Sequence, residues 1–193
     1  DSLEVKQRIR SIFKFGQQYD IYLPGSETPV GYCNRGLNWP WAACDLHYYS
    51  DETKTTELLH IKQRNWVDAW GTFDLFDSSN GEHICTFTRK YWAGILQRTW
   101  MVTDPAGQAL FQIQEDNIMK SIIRRIGGGF FPPLQMFLRT NMNFRTLDGG
   151  KDFGDLNRKF SLRDRYEVSR TSNELDGRIL WAAGPLIDNA GGR

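Results

Sequence analysis

The residues best suited to chemistry are few in this chain. There are three histidines, His47, His60 and His83, and three cysteines, Cys33, Cys44 and Cys85. None of the six falls at short ligand spacing, so the sequence marks out no metal site. An odd, sparse cysteine count makes no disulfide framework, and reduced thiols fit a cytoplasmic protein. Gly127-Gly128-Gly129 lacks the Lys-Ser/Thr that follows the glycines of a phosphate loop and reads as a turn. Asp74 and Asp77 fall in hairpin and turn sequence with no acid/base signature. No Ser-His-Asp or Cys-His motif is recognisable. The expectation is a binding protein rather than an enzyme, with no cofactor and no metal.

Charge is more informative. Lys+Arg number 24 against 23 Asp+Glu, a net charge of +1, so no nucleic-acid partner is expected. The balance conceals a basic third: residues 118–165 hold ten basic and four acidic residues. Guanidinium and ammonium groups suit phosphate. The candidate headgroup-binding residues are Lys120, Arg124, Arg125, Arg158, Lys159 and Arg165. Phe130-Phe131, beside Arg124-Arg125, suits either insertion at a headgroup boundary or a packed plug. The plainer reading of the charges is a solvated strand face.

The elements that must position these residues repeat. At 193 residues the chain fits one domain spanning 1–193. An aromatic-rich alternating run, a polar turn and a second alternating run ending in charge recur along it. The clearest copy is Gly71-Thr72-Phe73-Asp74-Leu75-Phe76, a turn at 77–81, then His83-Ile84-Cys85-Thr86-Phe87-Thr88-Arg89-Lys90. Others begin at Tyr19, Cys44, Arg98 and Met142, and a last single run opens with Asp164-Arg165-Tyr166-Glu167-Val168-Ser169. Gly31, Gly81, Gly107 and Gly154 mark the period, with Gly81 to Gly107 spanning 26 residues. Five hairpins and a final strand make an antiparallel meander that closes as a barrel or folds as a sandwich. The seven Trp read mainly as core. The C-terminus departs from alternation. Leu175, Ile179, Leu180, Trp181, Ala183, Leu186 and Ile187 form an apolar helix over about 174–188, with Asn173 as its N-cap. It is apolar nearly all round yet too short to span a bilayer, so it is expected to be enclosed by protein. Gly184 and Pro185 should bend its last turn, and the chain from Asn189 onward reads as a loose end.

These residues resemble the tubby-like C-terminal superfamily, most closely its LURP-one-related and phospholipid scramblase branches. The likeness rests on strand ends running Gly31 to Arg35, Gly81 to Arg89-Lys90 and Gly154 to Arg158-Lys159. It also rests on Asp164-Arg165-Tyr166-Glu167-Val168 and on the closing Asp176, Ala182-Ala183 and Leu186-Ile187-Asp188. It covers roughly residues 13–188. The resemblance implies a closed antiparallel β-barrel of about twelve strands around a C-terminal hydrophobic helix. It implies anionic phospholipid or phosphoinositide headgroups as partners, at the periphery of a membrane. The alternative it implies is a regulatory protein-interaction domain with no lipid role. The scramblase branch implies Ca2+ before the terminal helix. The acids there, Asp164, Glu167, Glu174 and Asp176, alternate with Arg163, Arg165 and Arg170 instead of converging, so calcium is not expected.

Overall fold

The computed structural model describes residues 2–8, 17–36, 44–64, 71–90, 98–115, 141–159 and 165–191. The strands are β1 (Ser2–Gln7), β2 (Gln18–Tyr22), β3 (Pro29–Arg35), β4 (Asp45–Tyr49), β5 (Glu57–Gln63) and β6 (Thr72–Asp77). They continue as β7 (His83–Lys90), β8 (Thr99–Thr103), β9 (Ala109–Glu115), β10 (Asn141–Arg145), β11 (Asp152–Lys159) and β12 (Arg165–Arg170). Each pairs antiparallel with its neighbours in sequence, and β1 pairs with β12 to close a twelve-stranded barrel. Closure leaves no edge strand open to a second chain.

Alternation decides the wall. In β12 Tyr166 and Val168 face inward, and Arg165, Glu167 and Ser169 face out. The hairpins share one irregularity. The second strand of each carries one extra residue near the turn: Val30, Leu58, Ile84, Leu110 and Phe153. All five are apolar, and all but Leu110 pack against the core. Each hairpin turn also holds one residue with positive φ: Gly25, Lys54, Gly81, Gly107 and Gly149. The repeat is therefore real, but its glycines are not equivalent. Gly81 and Gly107 make turns, which need the left-handed region. Gly31 and Gly154 follow the bulges instead, where side-chain room is the constraint. A Cβ on Gly154 would collide with the Ser169 carbonyl, and one on Gly31 would press on the Trp181 ring.

β1 is the strand that the hairpin repeat does not foresee, and it takes the barrel's start to Ser2, ahead of residue 13. It pairs with β2 on one side, and its other partner, β12, comes from the far end of the chain.

Among the described residues the lumen holds a single helix, α1 (Gly177–Gly191). Ile179, Leu180, Ala182, Ala183, Leu186 and Ile187 are all buried, as the apolar run predicts. Trp181 is partly exposed and lies against Gly31. The small residues 182–184 permit close approach: a Cβ on Gly184 would stand 3.2 Å from a Val5 methyl. Trp100 is fully buried in the wall core. Trp39, Trp41, Trp66, Trp70 and Trp92 lie outside the described residues.

The helix limits differ from the sequence expectation. The N-cap is Asp176, not Asn173. The Arg178 amide donates to Asp176 Oδ1 at 2.8 Å, and the Ile179 amide donates to its carbonyl at 3.1 Å. Leu175 is buried just before the helix, where Arg170 Nη1 donates to its carbonyl at 3.1 Å and holds the chain in a turn from wall to lumen. At the other end the helix runs through Pro185 to Gly191. Pro185 removes one ladder donor, and the neighbouring Ala182 carbonyl accepts the Tyr48 hydroxyl at 2.8 Å. Enclosure by the wall outweighs the roughly 3 kcal/mol that an internal proline costs. Asn189 is buried rather than loose. Its amide donates to the Tyr19 hydroxyl and the Pro185 carbonyl, both at 2.9 Å.

Candidate functional site: an arginine-lined barrel mouth

Odd-numbered strands all run toward the same mouth of an antiparallel barrel. Five of the six end in a basic residue or have one next in sequence: Arg8, Arg35, Arg64, Arg89-Lys90 and Arg158-Lys159. β9 ends on buried Glu115 instead. The charged run ends of the repeat thus become neighbours in space.

Parity sorts these charges between lumen and wall. Arg35, Arg89 and Arg158 lie two residues beyond inward-facing Cys33, Phe87 and Leu156, so they sit at the rim on the lumen side. There Arg35 and Arg89 meet the end of α1, which has no basic residue in its own last turn. Arg89 Nη1 donates to the Ala190 carbonyl at 2.9 Å, and Arg35 Nη1 donates to Asn189 Oδ1 at 3.3 Å. These cations complement the negative end of the helix dipole. Tyr19 and Tyr166 both donate to Asp188, the former at 2.6 Å, and the Arg158 guanidinium lies 6.0 Å from the Tyr166 ring centre. Burial, followed by the charge of Asp188, pushes the Tyr19 phenol far above its usual range, so it stays a donor.

Between the helix end and the wall is a cavity of about 200 Å³, lined by Arg35, Gln63, Arg89 and Asn189 with Phe73 and Cys44 at its back. Two guanidiniums and the Gln63 amide line it with donors suited to an oxyanion, and guanidinium suits phosphate or carboxylate best.

The headgroup residues read from the sequence divide three ways. Arg158 belongs to this rim. Lys159 and Arg165 face outward and meet acids: Lys159 Nζ is 2.7 Å from Glu167 and 3.7 Å from Glu4, and Arg165 is 3.8 Å from Glu4. Burial works to raise the Glu4 carboxyl, but Lys6, Arg165 and Lys159 outweigh it and hold Glu4 below its usual value. Lys120, Arg124 and Arg125 lie outside the described residues. The sequence reading missed Arg35 and Arg89 because it sought charge in one contiguous third. Their signal was the repeat itself, a cation at the same place in successive copies.

The other charged centre is at the opposite end. Arg178 reaches Asp77 at 2.9 Å, Glu82 at 3.0 Å and Asp176 at 2.9 Å, joining the helix start to the β6–β7 turn. The cysteines are free and buried, and burial raises all three thiols, which makes them poor nucleophiles. The histidines, scattered in sequence, are drawn together on the outer wall. His47, Glu57 and His60 form a cluster with metal-binding donors, and His83 stands 3.4 Å from Asp74 two strands away. Burial, then the neighbouring His47, lowers the His60 imidazole from its usual value.

Among the described residues no helix is long and apolar enough to cross a membrane. Comparison with protein-family models, curated proteins and solved structures finds nothing that matches this chain.

Proposed function

We propose that this barrel is a non-enzymatic binding module for anionic phospholipid headgroups, engaging them at its arginine-lined mouth. The observation that carries the reading is the convergence of Arg35 and Arg89 around a polar cavity at the helix end, with Arg158 on the same rim beside Tyr166. The cavity is of a size for a phosphate group rather than an acyl chain, because the helix fills the lumen. Lys120, Arg124 and Arg125 are proposed as further contacts, on charge alone. Each cation brought near an anionic surface adds about 1 kcal/mol. A second reading, a protein-interaction domain without a lipid role, draws on Lys159 and Arg165, whose charges are engaged with Glu4 and Glu167.

Co-sedimentation with phosphatidylcholine vesicles, with and without phosphatidylserine or phosphoinositide, tests it. The expected result is binding to the anionic vesicles alone, lost as salt rises, and weakened at least about tenfold by Arg89→Glu with Arg158→Glu. Arg124→Glu with Arg125→Glu reports separately on the basic run at 120–125. No binding to any vesicle would overturn the lipid reading and leave the protein-interaction reading. Binding untouched by the rim changes but lost with the other pair would move the site away from the mouth.

A further inference from the structure

The outer wall carries a donor cluster that the mouth does not use. His47 on β4 and His60 on β5 are direct cross-strand partners. Their rings are nearly parallel, 13° apart, with centres 4.5 Å from each other. Glu57 would face the lumen by simple alternation, being two residues before inward-facing Leu59. The bulge at Leu58 turns it outward, opposite Tyr49. Its Oε1 then lies 2.8 Å from His47 Nδ1. One donor atom from each of His47, Glu57 and His60 lies within 4.8 Å of the other two.

A second observation concerns what these atoms lack. His60 Nε2 is shielded from solvent and has no hydrogen-bond partner among the described residues. The same holds for Asp45 Oδ1, one outward position before His47 on β4. Buried polar atoms are rarely left unpaired, and each such atom calls for a reason. His60 Nε2 belongs to a residue of the convergent set of two imidazoles and a carboxylate.

We propose that His47, Glu57 and His60 bind a divalent transition-metal ion of the zinc type. Two imidazole nitrogens and one carboxylate oxygen form a donor set suited to Zn2+. The nitrogens disfavour Ca2+ and Mg2+, which take oxygen ligands. Bonds near 2.0–2.1 Å place tetrahedral donors roughly 3.3 Å apart. The present donors lie within 4.8 Å of one another, so binding requires the side chains to draw together. The side chains of His47 and Glu57 are 29% and 33% exposed, so the fourth position opens to water. The ion would tie β4 to β5 across the one hairpin turn whose positive-φ residue is not glycine, Lys54.

The test is titration of the tag-free full chain with Zn2+ against a chromogenic chelator, with Co2+ absorption as the readout of nitrogen ligation. One ion per chain is expected. His60→Ala and the near-isosteric Glu57→Gln should each weaken it by at least about tenfold. His83→Ala should leave the affinity unchanged. Zn2+ should raise the melting temperature of the natural chain and not that of His60→Ala. If His60→Ala fails to fold, Glu57→Gln gives the same reading with the ring stack in place. Overturning results are the absence of stoichiometric binding, unchanged affinity in a folded His60→Ala or Glu57→Gln chain, or an affinity that follows His83.

Discussion

The two ends of the barrel use charge in opposite ways. At the turn end, acids shape the backbone next to them. Asp51, Asp77 and Asp148 each accept the amide two residues on, and Asp104 accepts the Gln108 amide. Four of the five hairpins are closed this way, and each carboxylate holds a turn that its own neighbours form. At the mouth, cations from strands far apart in sequence reach inward to one object, the end of α1. Local use of charge is a matter of spacing along the chain. Convergent use depends on all odd strands pointing one way and on a helix end standing between them. The turn end is therefore held by contacts within each turn, and the mouth by contacts between distant strands and one helix end.

The largest test of that contrast breaks the helix on which both ends depend. Leu186→Asp puts a carboxylate into the filled lumen, where Leu186 is fully buried. A loss of about 4–5 kcal/mol or more is expected, read as failure to fold or a collapse of the urea midpoint. A stable Leu186→Asp barrel would show that the helix is not a structural plug.

A smaller effect should appear at the mouth. Asp188→Ala removes the acceptor shared by Tyr19 and Tyr166. Tyr19 keeps Gln17 within 3.1 Å. A cost of about 2 kcal/mol is expected in equilibrium unfolding, because two buried phenols lose a charged acceptor. No change would mean that the two phenols are satisfied elsewhere and do not seat the helix end.

The smallest should come from the turn end and should depend on pH. Arg178→Met removes the cation shared by Asp77, Glu82 and Asp176. The melting temperature should fall by only about 2–4 °C at neutral pH, as exposed ion pairs contribute little. The Ser79 hydrogen bonds, then Arg178, hold Asp77 below its ordinary value of 3.8. Burial tends to raise Asp176, but Arg178 outweighs it and holds it low as well. Depressed carboxylates stabilise the fold above their unfolded pKa, and that contribution fades as pH falls through the folded values. The difference between Arg178→Met and the natural chain should therefore be full above pH 4 or so and shrink in more acid solution. A difference independent of pH would assign the loss to packing of the Arg178 stem.

Most of the wall was legible because its signals are local. Phe73-Asp74-Leu75 alternates with a period of two, and Asp77 to Gly81 is turn chemistry within five residues. The enclosed helix was legible too, since Ile179 to Ile187 has no polar face to offer water. The helix limits were less so. Asn173 and Asp176 are both good caps, and only Arg170 holding the Leu175 carbonyl chooses between them. Gly184-Pro185 reads as a breaker until the wall is seen to press the helix straight.

The sequence by itself determined the hairpins, their turns and an apolar segment that must be enclosed, because alternation, turn residues and hydrophobicity act within a few positions. Only the tertiary structure decided that β1 closes the ring on β12, that Arg35 and Arg89 meet at one helix end, and that His47, Glu57 and His60 meet on one wall. The reason is register. One bulged residue reverses the face a side chain takes, as at Leu58 and Glu57, and ring closure alone makes neighbours of residues that the chain keeps apart.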